Sequence, residues 1–164
     1  WNSVKINNQW VLLDATWAAG YVFNGKWVQD YNNYFFAVDH KKIGKTHFPN
    51  NKKWQIVTNL STIEKFYEQP IYSQAFLKSG LEIITPTKGN VSINKSKEFV
   101  LNIKNLSPND RLYYNYKGQR YSKKAAITYK GNVAKVVIEN PGRNSDLHIF
   151  LNRDLALIYK IFVR

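Results

Sequence analysis

Asp14 closes an apolar run, Trp10-Val11-Leu12-Leu13, and is followed three residues later by Trp17. A carboxylate in such company needs a partner, because burying a charge without one is costly. None stands beside it in the sequence. The preceding residues say where one would have to be. Asn7-Asn8 tolerates the positive φ angles of a two-residue type I′ turn. In that register Ile6 faces Gln9, Val4 faces Val11 and Trp1 faces Asp14. A residue two positions before Trp1 would then lie diagonally beside Asp14 on the same sheet face. Were it a histidine, the pair would be the base and orienting acid of a nucleophilic triad. The alternative role for Asp14 is to cap a turn or to pair with a lysine and hold the sheet.

Other polar and aromatic residues offer less. Asp39, His40 and His47 have no spacing that fixes three ligands on one ion. His47, in His47-Phe48-Pro49, reads as a structural hydrogen-bonder, and no metal site is expected. His148 reads as a surface or rim residue of a strand. Trp17, Tyr21, Phe23 and Trp27 cluster around a loop, where they either pack a core or, for Trp17 above all, wall a substrate cleft. Basic residues alternate with tyrosines from Arg111 to Lys124, a pattern that could stack nucleic-acid bases. The tyrosines keep strand periodicity, so the segment reads as a solvated sandwich face and nucleic acid is not the expected partner.

The elements that must position these groups fall into two vocabularies. All five tryptophans lie in the first third and all five arginines in the last. Residues 81–164 read as about seven strands: Leu81 to Ile84, Phe99 to Lys104, Leu112 to Tyr116, Ala125 to Tyr129, Val133 to Ile138, Leu147 to Leu151 and Leu155 to Val163. That spacing predicts an immunoglobulin-like sandwich, although no Cys–Trp–Cys pattern accompanies it. In residues 1–80, Val4 to Ile6, Trp10 to Ala15 and Tyr34 to Val38 read as strands. Ser61 with Glu64 forms a capping box for a helix ending before Pro70. A second short helix runs from Ser73 to Lys78, closed by Gly80. The domain boundary is placed near residue 80.

Composition narrows the classes. With 164 residues, 44% hydrophobic and 15% aromatic, the chain is globular and can bury a core. No window approaches the roughly 18 apolar residues of a membrane span, and no transmembrane segment is expected. There is no Cys, so these residues contain no disulfide, thiolate site or thiol nucleophile. There is no Met and the first residue is Trp, which suggests a matured or truncated piece of a longer chain. A net charge of +13 favours anionic polymers or surfaces, most of it on the sandwich.

The pattern Trp1-Asn2-x-Val4-Lys5-Ile6-x-x-x-Trp10-x-Leu12-Leu13-Asp14-x-Thr16-Trp17 resembles the His–Asp segment of transglutaminase-like domains, in particular the kyphoscoliosis-peptidase-like branch. Gly20, Tyr34-Phe35-Phe36, His47-Phe48-Pro49 and Trp54-Gln55 continue the likeness, whereas Ala18 stands where the family often has glycine. The resemblance implies an α+β fold: residues 1–80 as the C-terminal half of a papain/transglutaminase-like domain, an antiparallel sheet with short helices, followed by the β-sandwich of residues 81–164. It implies a Cys–His–Asp enzyme acting on peptide or glutamine amides, with Asp14 as the catalytic acid, Trp17 beside the substrate and no cofactor. The fragment itself is expected to be inactive, for want of the Cys and the upstream His. Its parent would take a protein or peptide substrate and would be exported or periplasmic. The rival expectation is a non-catalytic module that binds protein or polysaccharide, with the basic sandwich as contact surface for an anionic polymer.

Overall fold

A computed structural model describes residues 1–38, 40–51 and 62–164, with the backbone alone at His40 and Lys41. Asp39, Trp54, Gln55 and the capping-box residue Ser61 lie outside the described residues, as does the side chain of His40. The chain divides into two compact units, Trp1–Phe66 and Tyr67–Arg164.

The first unit begins with the hairpin β1 (Asn2–Ile6) and β2 (Gln9–Leu13), in the register Ile6 opposite Gln9 and Val4 opposite Val11. Asn7 and Asn8 both take positive φ, 49° and 62°, the two left-handed residues a type I′ turn requires. The short helix α1 (Ala15–Ala19) follows. A second hairpin, β3 (Gly20–Phe23) and β4 (Lys26–Gln29), turns on Asn24-Gly25. Then come a 3-10 turn over Asn33–Phe35, helix α2 (His40–Ile43) and helix α3 (Ile63–Tyr67).

The expected α+β, papain-like architecture is not what the chain forms. Among the described residues, strands reach 46% against 13% helical, and those of the first unit form two separate two-stranded hairpins, not one antiparallel sheet. Part of the reason is local. Tyr34 to Val38 does not extend as a strand, because the Asn32 side chain accepts from Tyr34 N–H at 3.0 Å and winds the chain into the 3-10 turn. Only a single bridge, Leu12 with Val38, reaches β2. The helices are four or five residues long, too short to be stable without tertiary contacts.

In the second unit, β5 (Ile71–Tyr72) and helix α4 (Gln74–Lys78) precede the sandwich. Ser73 caps α4 by accepting from Phe76 N–H, as its sequence signals. The strands are β6 (Glu82–Thr85), β7 (Asn90–Ile93), β8 (Phe99–Lys104), β9 (Leu112–Tyr116), β10 (Lys123–Lys124), β11 (Ala126–Lys130), β12 (Val133–Ile138), β13 (Ser145–Leu151) and β14 (Asp154–Val163). One sheet runs β11-β12-β8-β6 and the other β10-β9-β13-β14. The long β14 also pairs antiparallel with β5 and parallel with β7. In chain order these are the ABED and CFG sheets of an immunoglobulin-like sandwich, with β7 a split first strand. The alternation that predicted the strands is the burial pattern itself. Phe99, Leu101 and Ile103 of β8 and Leu112, Tyr114 and Tyr116 of β9 point inward, as do Leu147, Ile149 and Leu151 of β13. No cysteine joins the sheets; the core is aliphatic and aromatic throughout, with Tyr159 packed 5.1 Å from Phe99. No helix among the described residues is long and apolar enough to cross a membrane.

Candidate functional site

Asp14 ends β2 and caps α1. Its Oδ1 accepts from Trp17 N–H at 2.8 Å, the geometry expected of an aspartate at a helix start. Its own N–H donates to Phe35 O at 2.9 Å, and Ala18 N–H donates back to its carbonyl at 3.0 Å. The residue is therefore fixed by its side chain and by both of its backbone groups. It is 5% exposed, one of the few buried polar residues among the described residues.

Its second oxygen meets an imidazole from far along the chain. His47 Nε2 lies 3.0 Å from Asp14 Oδ2, and His47 Nδ1 lies 2.7 Å from Thr46 Oγ1. Helix α2 and its turn place this ring: His47 N–H donates to Ile43 O at 2.8 Å, and Thr46 N–H donates to the same carbonyl at 3.0 Å. A carboxylate can only accept, so the proton of the pair sits on His47 Nε2. Three aromatic rings pack around the imidazole, with centroids of Trp17, Trp1 and Phe35 at 4.9, 5.9 and 6.1 Å. Trp17 also meets Phe35 edge-on at 5.4 Å.

The electrostatics of Asp14 are a contest. Burial raises its pKa, but the hydrogen bonds from Trp17 N–H and His47, then the charges of the Trp1 amino group and His47, lower it. The sum stands below the ordinary aspartate value. The Trp1 nitrogen lies 4.0 Å from Oδ2, where the hairpin register put it. A hollow of about 270 Å³ opens beside Asp14, lined by Leu13, Ala18, Tyr31, Phe35 and Phe36 among others, nearly all apolar.

Sequence reasoning located Asp14 and its proximity to Trp1, and it expected the imidazole from an upstream residue. It read His47 only as a turn histidine and missed the pairing. Nothing local signals it, since 33 residues separate the two partners. Trp17 stands against His47 and Phe35 and remains 42% exposed. His148 is half-buried on β13, in the second unit. Among the described residues, no three His, Cys, Asp or Glu side chains gather closely enough to hold a metal ion.

The chain is similar to three curated proteins over about half its length. It is 29% identical over 83 residues to human kyphoscoliosis peptidase and equally to the mouse protein, an alignment covering 49% of this chain and 13% of each relative. It is 21% identical over 103 residues to Hillarin of Drosophila melanogaster, again 13% of that protein. The chain thus spans a small part of the length of the curated relatives it matches. No family model matches it. Among solved structures, a titin I27 domain mutant aligns with a TM-score of 0.35 at 15% identity, covering 51% of this chain and 88% of that one. A titin I9-I11 tandem aligns at 0.33 and 15%, covering 51% and 33%.

Proposed function

We propose that the chain supplies the acid-bearing part of a transglutaminase-like thiol enzyme, a peptidase or acyltransferase working on peptide or glutamine amides. In this reading Asp14 is the carboxylate that orients an imidazole, and Trp17 offers an aromatic wall beside it. The observation that carries the reading is the Asp14 carboxylate. It is buried, ionised and locked by the Trp17 N–H, and it lies 4.0 Å from the Trp1 nitrogen, in a chain that is 29% identical to kyphoscoliosis peptidase over 83 residues. Such an acid fixes the tautomer of the imidazole and stabilises its cation while a thiolate attacks the carbonyl and the leaving amine takes the proton. The thiol and the second imidazole would belong to a longer protein. No metal or organic cofactor enters this chemistry.

The 164 residues contain no Cys, so the chain alone is expected to release no peptide from labelled casein and to incorporate no amine. Turnover in either assay would refute the reading. In a longer protein carrying a Cys and a His ahead of Trp1, Asp14→Asn should lower kcat by roughly 10³- to 10⁴-fold with the fold intact. An unchanged kcat would remove Asp14 from the mechanism. The second reading, a non-catalytic module that binds protein or polysaccharide, draws on the Asp14–His47 contact. That pair is already complete within the chain and suffices as a structural clasp. Absence of a Cys and a His upstream would favour it.

A further inference from the structure

Among the described residues, four hairpins turn on two-residue loops: Asn7-Asn8, Asn24-Gly25, Gly131-Asn132 and Asn152-Arg153. Three use only the residues that tolerate left-handed backbone. The fourth does not. Asn152 and Arg153 have φ of 52° and 86°, a type I′ pair, with arginine where glycine is the least strained choice. A side chain kept in an unfavourable conformation points to something the side chain does.

Arg153 lines an open groove of about 710 Å³ on the solvent face of the β10-β9-β13-β14 sheet. Arg111, just before β9, lines it too. Asn152 pins the two together: its Oδ1 accepts from Arg111 N–H at 2.9 Å, its N–H donates to Arg111 O at 2.9 Å, and its Nδ2 donates to Asp110 at 2.8 Å. The cross-strand pair Tyr113 and Phe150 also lines the groove, with Asn109 and Ser122 adding polar groups. Neither guanidinium is engaged in an ion pair among the described residues.

We propose that this groove binds an acidic oligosaccharide, its carboxylate or sulfate groups held by Arg111 and Arg153 and a sugar ring resting on Tyr113 and Phe150. Planar guanidinia suit oxyanions bidentately. A pyranose offers an apolar C–H face for the aromatic pair and hydroxyls for the amides and Ser122. A nucleic-acid backbone asks for a longer basic track. Here the same sheet face turns mixed in charge, with Asp146 paired to Lys117 at 3.6 Å.

The test is a titration of the whole ¹⁵N-labelled chain with a galacturonate tetramer and a sulfated tetrasaccharide, which separate carboxylate from sulfate. Maltotetraose, an oligoglutamate peptide and a short oligothymidylate serve as comparisons. Saturable shifts at Arg111, Tyr113 and Arg153 with one or both acidic sugars, and none with maltotetraose, support the site. Arg111→Gln and Arg153→Gly should each weaken binding about tenfold or more, the loss of a charge-assisted contact. Arg153→Gly should also leave the Tm unchanged or higher, because glycine relaxes the turn, so lost binding there is not lost folding. Absence of shifts at millimolar sugar, affinities unmoved by both substitutions, or tighter binding of the peptide or the oligothymidylate at the groove would each overturn the proposal. It stands apart from the reading of Asp14, and either can fail alone.

Discussion

At Asp14, helix cap and imidazole partner coincide in one side chain. Because its pKa is lowered in the folded protein, its contribution to stability is fully present above the unfolded value, near pH 4. That contribution is lost as the pH falls from there through the folded value. The urea midpoint of the first unit, followed by tryptophan emission, should therefore drop between pH 6 and pH 3. Asp14→Asn should lower the midpoint at pH 6 and flatten that drop. Parallel pH profiles for the two proteins would show that some other carboxylate governs acid unfolding. Such a residue was legible from the sequence because a lone acid after Trp10-Val11-Leu12-Leu13 is conspicuous. His47 was not, because only the turn after α2 brings it back to the end of β2, and no local spacing encodes that return.

Elements were legible where a period or a turn residue fixed them. The alternation in β8, β9, β12 and β13 matches the two faces of their sheets, and Asn7-Asn8 set the first hairpin. The strands β5, β7 and β10 went unread, being two to four residues long and held by distant partners. The β3–β4 hairpin had its signal in Asn24-Gly25, but a cluster of aromatics around it read as a loop. That hairpin depends on Gly20. A Cβ there would lie 2.1 Å from Val28 O, and the residue sits at φ +155°. Gly20→Ala should cost roughly 1–3 kcal/mol in chemical denaturation of the first unit; a neutral effect would mean the two strands separate freely. The sandwich has its own pH limit. Burial pushes Tyr72 up to about 12 and raises Tyr116 and Tyr159 as well. These phenols stay neutral while the unfolded chain ionises near pH 10, so stability should fall as pH rises past about 10. Tyr72→Phe should reduce that slope between pH 9 and 11 in denaturant melts, and an unaltered slope would exclude its phenol as a cause.

For the whole molecule, the two units differ in how they are built. Among the described residues, the members of the second unit's buried cluster run from Phe76 to Ile161. Residues 67–164 expressed alone should therefore unfold in one cooperative transition with dispersed amide resonances. A non-cooperative melt would show that the sandwich needs more of the chain. Among the described residues, the first unit buries few apolar side chains and leaves Trp1, Trp10, Trp17 and Trp27 each 41–54% exposed. Every tryptophan belongs to that unit, whereas the buried rings of the sandwich are phenylalanine and tyrosine. The molecule thus carries a natural division of optical labels. Indole emission reports on the first unit and is blind to the β-sandwich, and tyrosine absorption in the near ultraviolet is dominated by the β-sandwich. A single unmodified sample can reveal whether the two halves melt together or in turn.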